Sequence, residues 1–200
     1  VDKALAIALD GQPGPVHIDL PIAIAKKQYD VTTPVRRPYP SLAAPAPGGD
    51  IEQAKQWLRQ ASKPLIIAGL DVLHQHAEEA VTAFARDFGI PVITTYKAKG
   101  VLDENDPLAM GGAGLSPIAD EQFMKLVKNS DFILLAGYDP IEMRSGWIQP
   151  WSDEQRVVEF SAVPNHHYVH TASMSFVGDI GAGLAMLRDG ASPAASWPEG

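Results

Sequence analysis

Cysteine is absent from the 200 residues, which excludes disulfide bridges, thiolate nucleophiles and cysteine-held metal. No apolar run approaches the roughly 18 residues needed to cross a bilayer, and no basic-then-apolar leader opens the sequence, so neither a membrane span nor a secretory signal is expected. Positive charge is also scarce. Sixteen Lys and Arg against 24 Asp and Glu leave a net charge of −8, and the pI is about 5.1. Such a chain has no electrostatic footprint for nucleic acid and little attraction to anionic lipid. A cytoplasmic location is the default expectation. What is present is ordinary globular composition: 46% hydrophobic residues, enough to fill the core of one domain, or of one domain plus a piece of another.

The ends read as cut from a longer polypeptide. The chain opens at Val1 inside a helical pattern (Ala4, Leu5, Ile7, Ala8) and closes in a Pro/Ala/Ser/Gly stretch over 191–200. Residues 2–10 predict a short amphipathic helix ended by Gly11 and Gly14. Val16 to Leu20 alternates with period two and stops at Pro21, which predicts a strand. Five prolines (Pro34, Pro38, Pro40, Pro45, Pro47) then fall within residues 25–49. Proline lacks an N–H and fixes φ, so this stretch is expected to be an extended linker. The main body is expected over 50–190.

Within that body, helical and strand patterns alternate. Asp50 with Gln53 three residues on predicts a capped helix carrying Ala54, Trp57, Leu58 and Ala61 on its apolar stripe. Leu65–Gly69 and Phe132–Ala136 are short, wholly apolar runs, expected as strands buried on both faces. Ala77, Ala80, Val81, Phe84, Ala85 and Phe88 follow helical spacing, with Gly89 just past the end. The run 91–95 predicts a strand that feeds a long polar loop reaching the cluster Gly111-Gly112-Ala113-Gly114. Ser116-Pro117 opens a further helix. Strands are expected at 156–160 and near 174–177, and Asp179 is expected to cap a last helix through Leu184 and Leu187. This order predicts an α/β fold: a Rossmann-like, doubly wound parallel sheet of about five or six strands with flanking helices.

Candidate chemistry gathers at the carboxyl ends of those strands. Gly69 supplies one glycine where a dinucleotide fingerprint wants three, so it reads first as a tight turn. Gly112 and Gly114 offer backbone N–H groups that would cradle a phosphate, with Lys97 and Lys99 adding charge; a plain turn with two solvated lysines competes with that reading. Asp139 would meet a ribose hydroxyl and Arg144 a phosphate or carboxylate, with Glu142 beside them; a surface ion pair competes. His166 and His170 have a metal-like spacing, but Pro164 and Asn165 favour a loop, so these and His74, His76 and His167 are expected to be solvated or locally hydrogen-bonded. The candidate set, for a nucleotide alone, is therefore Gly69, Lys97, Gly112, Gly114, Asp139 and Arg144. No catalytic constellation and no metal site stands out.

The series Gly14-Pro15-Val16-His17-Ile18-Asp19-Leu20-Pro21, Lys63–Gly69, Gly89–Thr95, Lys99–Pro107, Gly111–Gly114 and Val177-Gly178-Asp179 resembles, in order, the middle region of thiamine diphosphate enzymes, in particular acetolactate synthase and related 2-keto acid decarboxylases and carboligases. The resemblance implies that 1–24 is the tail of a pyrimidine-binding domain, 25–49 a linker, 50–190 the middle domain, and 191–200 the start of a linker to a diphosphate-binding domain. It implies thiamine diphosphate and Mg²⁺ held between the outer domains of a homodimer or homotetramer, not by this chain, which therefore is not expected to catalyse alone. Some relatives hold FAD or ADP in this domain. Here the turn at Gly69-Leu70-Asp71 lacks further glycines, Asp139 stands where an arginine is expected, and Ser161 and Val163 stand where two aspartates are expected. A nucleotide-free structural domain is the expectation. A FAD- or ADP-binding module and a free-standing Rossmann-like enzyme remain as alternatives.

Overall fold

The computed structural model describes residues 1–29, 42–144, 146–191 and 197. Residues 30–41 of the expected linker, and most of the tail after 190, lie outside them. The chain divides into two compact units, Val1–Ser41 and Leu42–Gly200.

In the first unit, α1 (Asp2–Leu9) and a single turn α2 (Ile22–Ala25) are the described helices. The strand expected at 16–20 does not form. These residues carry no ladder, and Val16, Ile18 and Leu20 are all exposed. Alternation alone does not make a strand. A ladder needs a neighbour whose N–H and C=O groups pair with it.

In the second unit, α3 (Gly49–Gln60) precedes β1 (Pro64–Ala68); α4 (Asp71–His74) and α5 (Glu78–Phe88) lead to β2 (Val92–Thr95), and β3 (Ala109–Ala113) follows. Then come α6 (Pro117–Asn129), β4 (Phe132–Ala136), a 3₁₀ turn at Pro140–Glu142, β5 (Arg156–Ser161), β6 (Met174–Val177) and α7 (Ile180–Arg188). All six strands are parallel, in the order β3-β2-β1-β4-β5-β6. This is the doubly wound sheet the sequence predicts.

Three local expectations need correction. The helix at Asp50 is not capped by that residue: its N-cap is Gly48, with no side-chain cap, and Asp50 and Glu52 sit in the first turn, where a negative charge meets the helix dipole. The stretch after β2 is not one continuous loop into a glycine cluster, because Ala109–Ala113 pairs with β2 as an edge strand. Ala-Met-Gly-Gly-Ala has no β-branched residue, and its pairing comes from the neighbour rather than from propensity. Upstream of α3, Ala43 already packs on the body. Its carbonyl accepts from the Asp179 N–H at 2.9 Å, and a Cβ on Gly178 would run into that same carbonyl.

The two faces of the sheet are covered differently. One face (Ile66, Ala68, Leu134, Val158, Phe160) lies under α3, α5 and α7 through Leu58, Phe84, Phe88 and Leu184. Asp179 caps α7, accepting from the Ala182 N–H at 2.8 Å, and Gly89 ends α5 in the left-handed region at φ 61°. The other face (Leu65, Ile67, Ile93, Ile133, Leu135, Val157) is covered by α6 and by the irregular connection from β4 to β5. In that connection Tyr138, Met143, Trp147 and Trp151 take the place of a crossover helix.

Candidate functional site

The strand order reverses between β1 and β4, and in such sheets ligands are received outside the carboxyl ends at that point. The crevice here is tightly closed. Gly69 N–H donates to the Ala136 carbonyl at 2.8 Å and Asp71 N–H to the Gly137 carbonyl at 3.2 Å. A Cβ on Gly69 would collide with Gly137 and Tyr138 backbone, and one on Gly137, at φ +59°, would press on Val72 N. Both glycines permit strand ends and turns to meet.

Glu142, at the end of the 3₁₀ turn, reaches back over this closure. Its Oε1 accepts from the Leu70 N–H at 3.2 Å, and its Oε2 accepts from Thr95 Oγ1 at 2.5 Å. Both Glu142 and Thr95 are buried. Burial raises the Glu142 pKa; the bonds from Thr95 and Leu70 and the charge of Lys97 oppose that rise, and Asp139 adds to it.

The residues expected to hold a nucleotide fall into place unevenly. Gly69, Lys97 and Asp139 come to the same edge. Lys97 is exposed, its ammonium 5.8 Å from the Tyr96 ring centroid. The Asp139 carboxylate is taken by its own turn, accepting from the Ile141 N–H at 2.9 Å. Gly112 lies within β3 opposite Thr94 rather than in a loop. Gly114 is buried, and its N–H donates to Asp120 Oδ1 at 2.7 Å. Arg144 stands apart, exposed on the rim of an open depression of about 730 Å³ with Asp120, Glu121, Lys125 and Lys128. Lys99 pairs with Glu104 at 3.0 Å. The partners missing from the sequence reading, Thr95 and Asp120, show no local signal: the Thr95–Glu142 bond spans 47 residues.

His166 and His167 are exposed on a loop, and His170 is buried. Its Nε2 faces the Trp147 carbonyl at 2.5 Å, which can only accept, so Nε2 carries the proton and Nδ1 accepts from the Tyr138 hydroxyl at 2.8 Å. Burial lowers the His170 pKa and raises that of Tyr138, where the Glu142, Asp139 and Glu159 charges act the same way. Glu159, in mid β5, is buried with Ser175 Oγ donating to its Oε2 at 2.7 Å, and burial raises its pKa. Its Oε1 and Trp147 Nε1 are buried side-chain atoms without a hydrogen-bond partner. Among the described residues, no three His, Asp or Glu side chains come together as a metal-holding set.

Residues 51–187 match the model of one protein family, the central domain of thiamine pyrophosphate enzymes. The chain belongs to that family. The chain is 29% identical over 198 residues to the acetolactate synthase large subunit of Parasynechococcus marenigrum, covering 94% of the chain and 31% of that protein. It is 26% identical over 188 residues to glyoxylate carboligase of Escherichia coli (94% and 32% covered), and 26% identical over 192 residues to oxalyl-CoA decarboxylase of the same species (91% and 32%). The chain thus spans about a third of the length of these relatives. In fold it is similar to the solved benzoylformate decarboxylase of Polynucleobacter necessarius, with a TM-score of 0.72 at 22% identity over 94% of this chain and 35% of that one. No helix among the described residues is long and apolar enough to cross a membrane.

Proposed function

We propose that this central domain works as a spacer within a thiamine diphosphate- and Mg²⁺-dependent enzyme that decarboxylates or ligates 2-keto acids, in the manner of acetolactate synthase. In that reading the domain sets the distance between a pyrimidine-binding and a diphosphate-binding domain of the same chain, contributes to a homodimer or homotetramer in the cytoplasm, and does not turn over substrate alone. The observation that carries it is the state of the carboxyl edge: its backbone donors at Leu70, Gly114 and Ile141 are already matched by Glu142, Asp120 and Asp139. The cofactor would supply an ylid and an electron sink; these residues would supply rigidity.

The test compares this chain with a polypeptide carrying all three domains. Each is given pyruvate, glyoxylate or oxalyl-CoA, with and without thiamine diphosphate and Mg²⁺. Turnover by the three-domain protein alone, dependent on both additions, is expected. Turnover by residues 1–200 unaided would instead establish a free-standing Rossmann-like enzyme.

A further inference from the structure

A doubly wound sheet that receives a nucleotide at its switch point needs two things there: room for backbone to approach the phosphate, and N–H or hydroxyl donors not already satisfied. FAD or ADP, the groups the family resemblance admits for this domain, do not fit the crevice between β1 and β4. Room is short because the turns after β1 and β4 approach so closely that a Cβ on Gly69 would meet the Gly137 and Tyr138 backbone, and one on Gly137 the Asp71 and Val72 backbone. The donors are spent because Leu70 N–H and Thr95 Oγ1 converge on the two oxygens of one side chain.

The geometry points to Glu142 as the resident anion of the switch point: its carboxylate, fixed by Leu70 N–H and Thr95 Oγ1, occupies the place where a phosphate would be received and closes this domain to nucleotides. Three further features support the assignment. Thr95 Oγ1 itself accepts from the Ala98 N–H at 3.3 Å, so the hydroxyl is oriented towards the carboxylate by the chain beyond β2. Burial raises the Glu142 pKa, and the Lys97 charge offsets part of that rise. The loop bearing Glu142 is seated by Gly114, where an added Cβ would lie 2.6 Å from Met143 Sδ and 3.2 Å from the Glu142 carbonyl. One internal carboxylate thereby joins the ends of β1 and β2 to the turn after β4.

The inference rests on the spacer reading and goes beyond it, yet it fails separately: it is decided by ligand binding to this domain, and the spacer reading by turnover. The full chain is studied as wild type, Glu142→Ala and Glu142→Gln. ADP and FAD are titrated by calorimetry, and melting temperatures are read in sodium formate against sodium chloride at matched ionic strength. Wild type is expected to show no saturable nucleotide binding and equal response to the two salts. Glu142→Ala should melt lower by roughly 3–8 °C and recover part of that loss in formate, saturably, because formate re-enters between Leu70 N–H and Thr95 Oγ1 and binding to the native state raises the melting temperature. Glu142→Gln, which keeps the shape, should stay nearer wild type and ignore formate. If Glu142→Ala does not fold in chloride, its refolding yield with and without formate is read instead, and a gain in formate supports the assignment. Saturable ADP or FAD binding by wild type overturns it, as does a Glu142→Ala protein on which formate acts no differently from chloride.

Discussion

Two buried acids and one buried histidine give this domain opposing pH dependences. Glu142 and Glu159 have raised pKa values in the folded state, so the fold binds their protons more tightly than the unfolded chain does. Their contribution to stability is full below the unfolded carboxylate pKa and is lost as pH rises through the folded value. His170 is the reverse. Its folded pKa lies below 6.5, so the unfolded chain takes up the proton first and stability falls as pH drops below about 6.5. Glu159→Gln removes a buried charge whose Oε1 has no partner. It is expected to be neutral or stabilising by roughly 1–2 kcal/mol at pH 8 and to lose that advantage at pH 4, as read by urea unfolding at both values. His170→Gln forfeits the ring contacts with Tyr138 and Trp151 and at least one of its buried hydrogen bonds, at a cost of about 2–4 kcal/mol at pH 8. The same variant should lack the wild-type decline between pH 6.5 and 5.

At the scale of elements, the wholly apolar runs were the legible ones. Leu65-Ile66-Ile67 and Phe132-Ile133-Leu134-Leu135 can only be central strands, and Phe84 and Phe88 four apart mark the buried side of α5. β3 was not legible, because Gly111 and Gly112 sit in a strand only by virtue of their pairing with Ile93 and Thr94. The site was half legible. Asp139 and Glu142 are visibly clustered in sequence, but that Glu142 turns inward to Leu70, 72 residues away, is written in no local pattern. Glycines test the packing between elements. Gly183 in α7 faces the Phe160 ring so closely that Gly183→Ala must displace it, costing about 1–3 kcal/mol despite alanine's better helix propensity. Gly89 has open space around it but a left-handed φ, so Gly89→Ala should cost only about 1 kcal/mol. Chemical denaturation of the pair separates steric from conformational cost.

For the molecule as a whole, every strand among the described residues and both apolar clusters lie within Leu42–Gly200, together with the Ala43 carbonyl that accepts from Asp179. A chain beginning at Leu42 is expected to keep the melting temperature of the domain. One beginning at Gly49 loses that bond and exposes the Gly178 turn, and should melt about 2–4 °C lower for each kcal/mol lost. Calorimetry of the two truncations checks this.

The missing crossover helix between β4 and β5 has an experimental benefit. Because indoles fill that space, Trp151 lies edge-on to His170 at 5.6 Å on one side of the sheet, while Trp57 sits under Arg156 on the other. The molecule therefore carries native fluorophores on opposite sides of one β-layer. With Trp147 and Trp197 replaced throughout, replacing Trp57 or Trp151 in turn would let emission follow the loosening of each side independently as the protein is acidified or warmed.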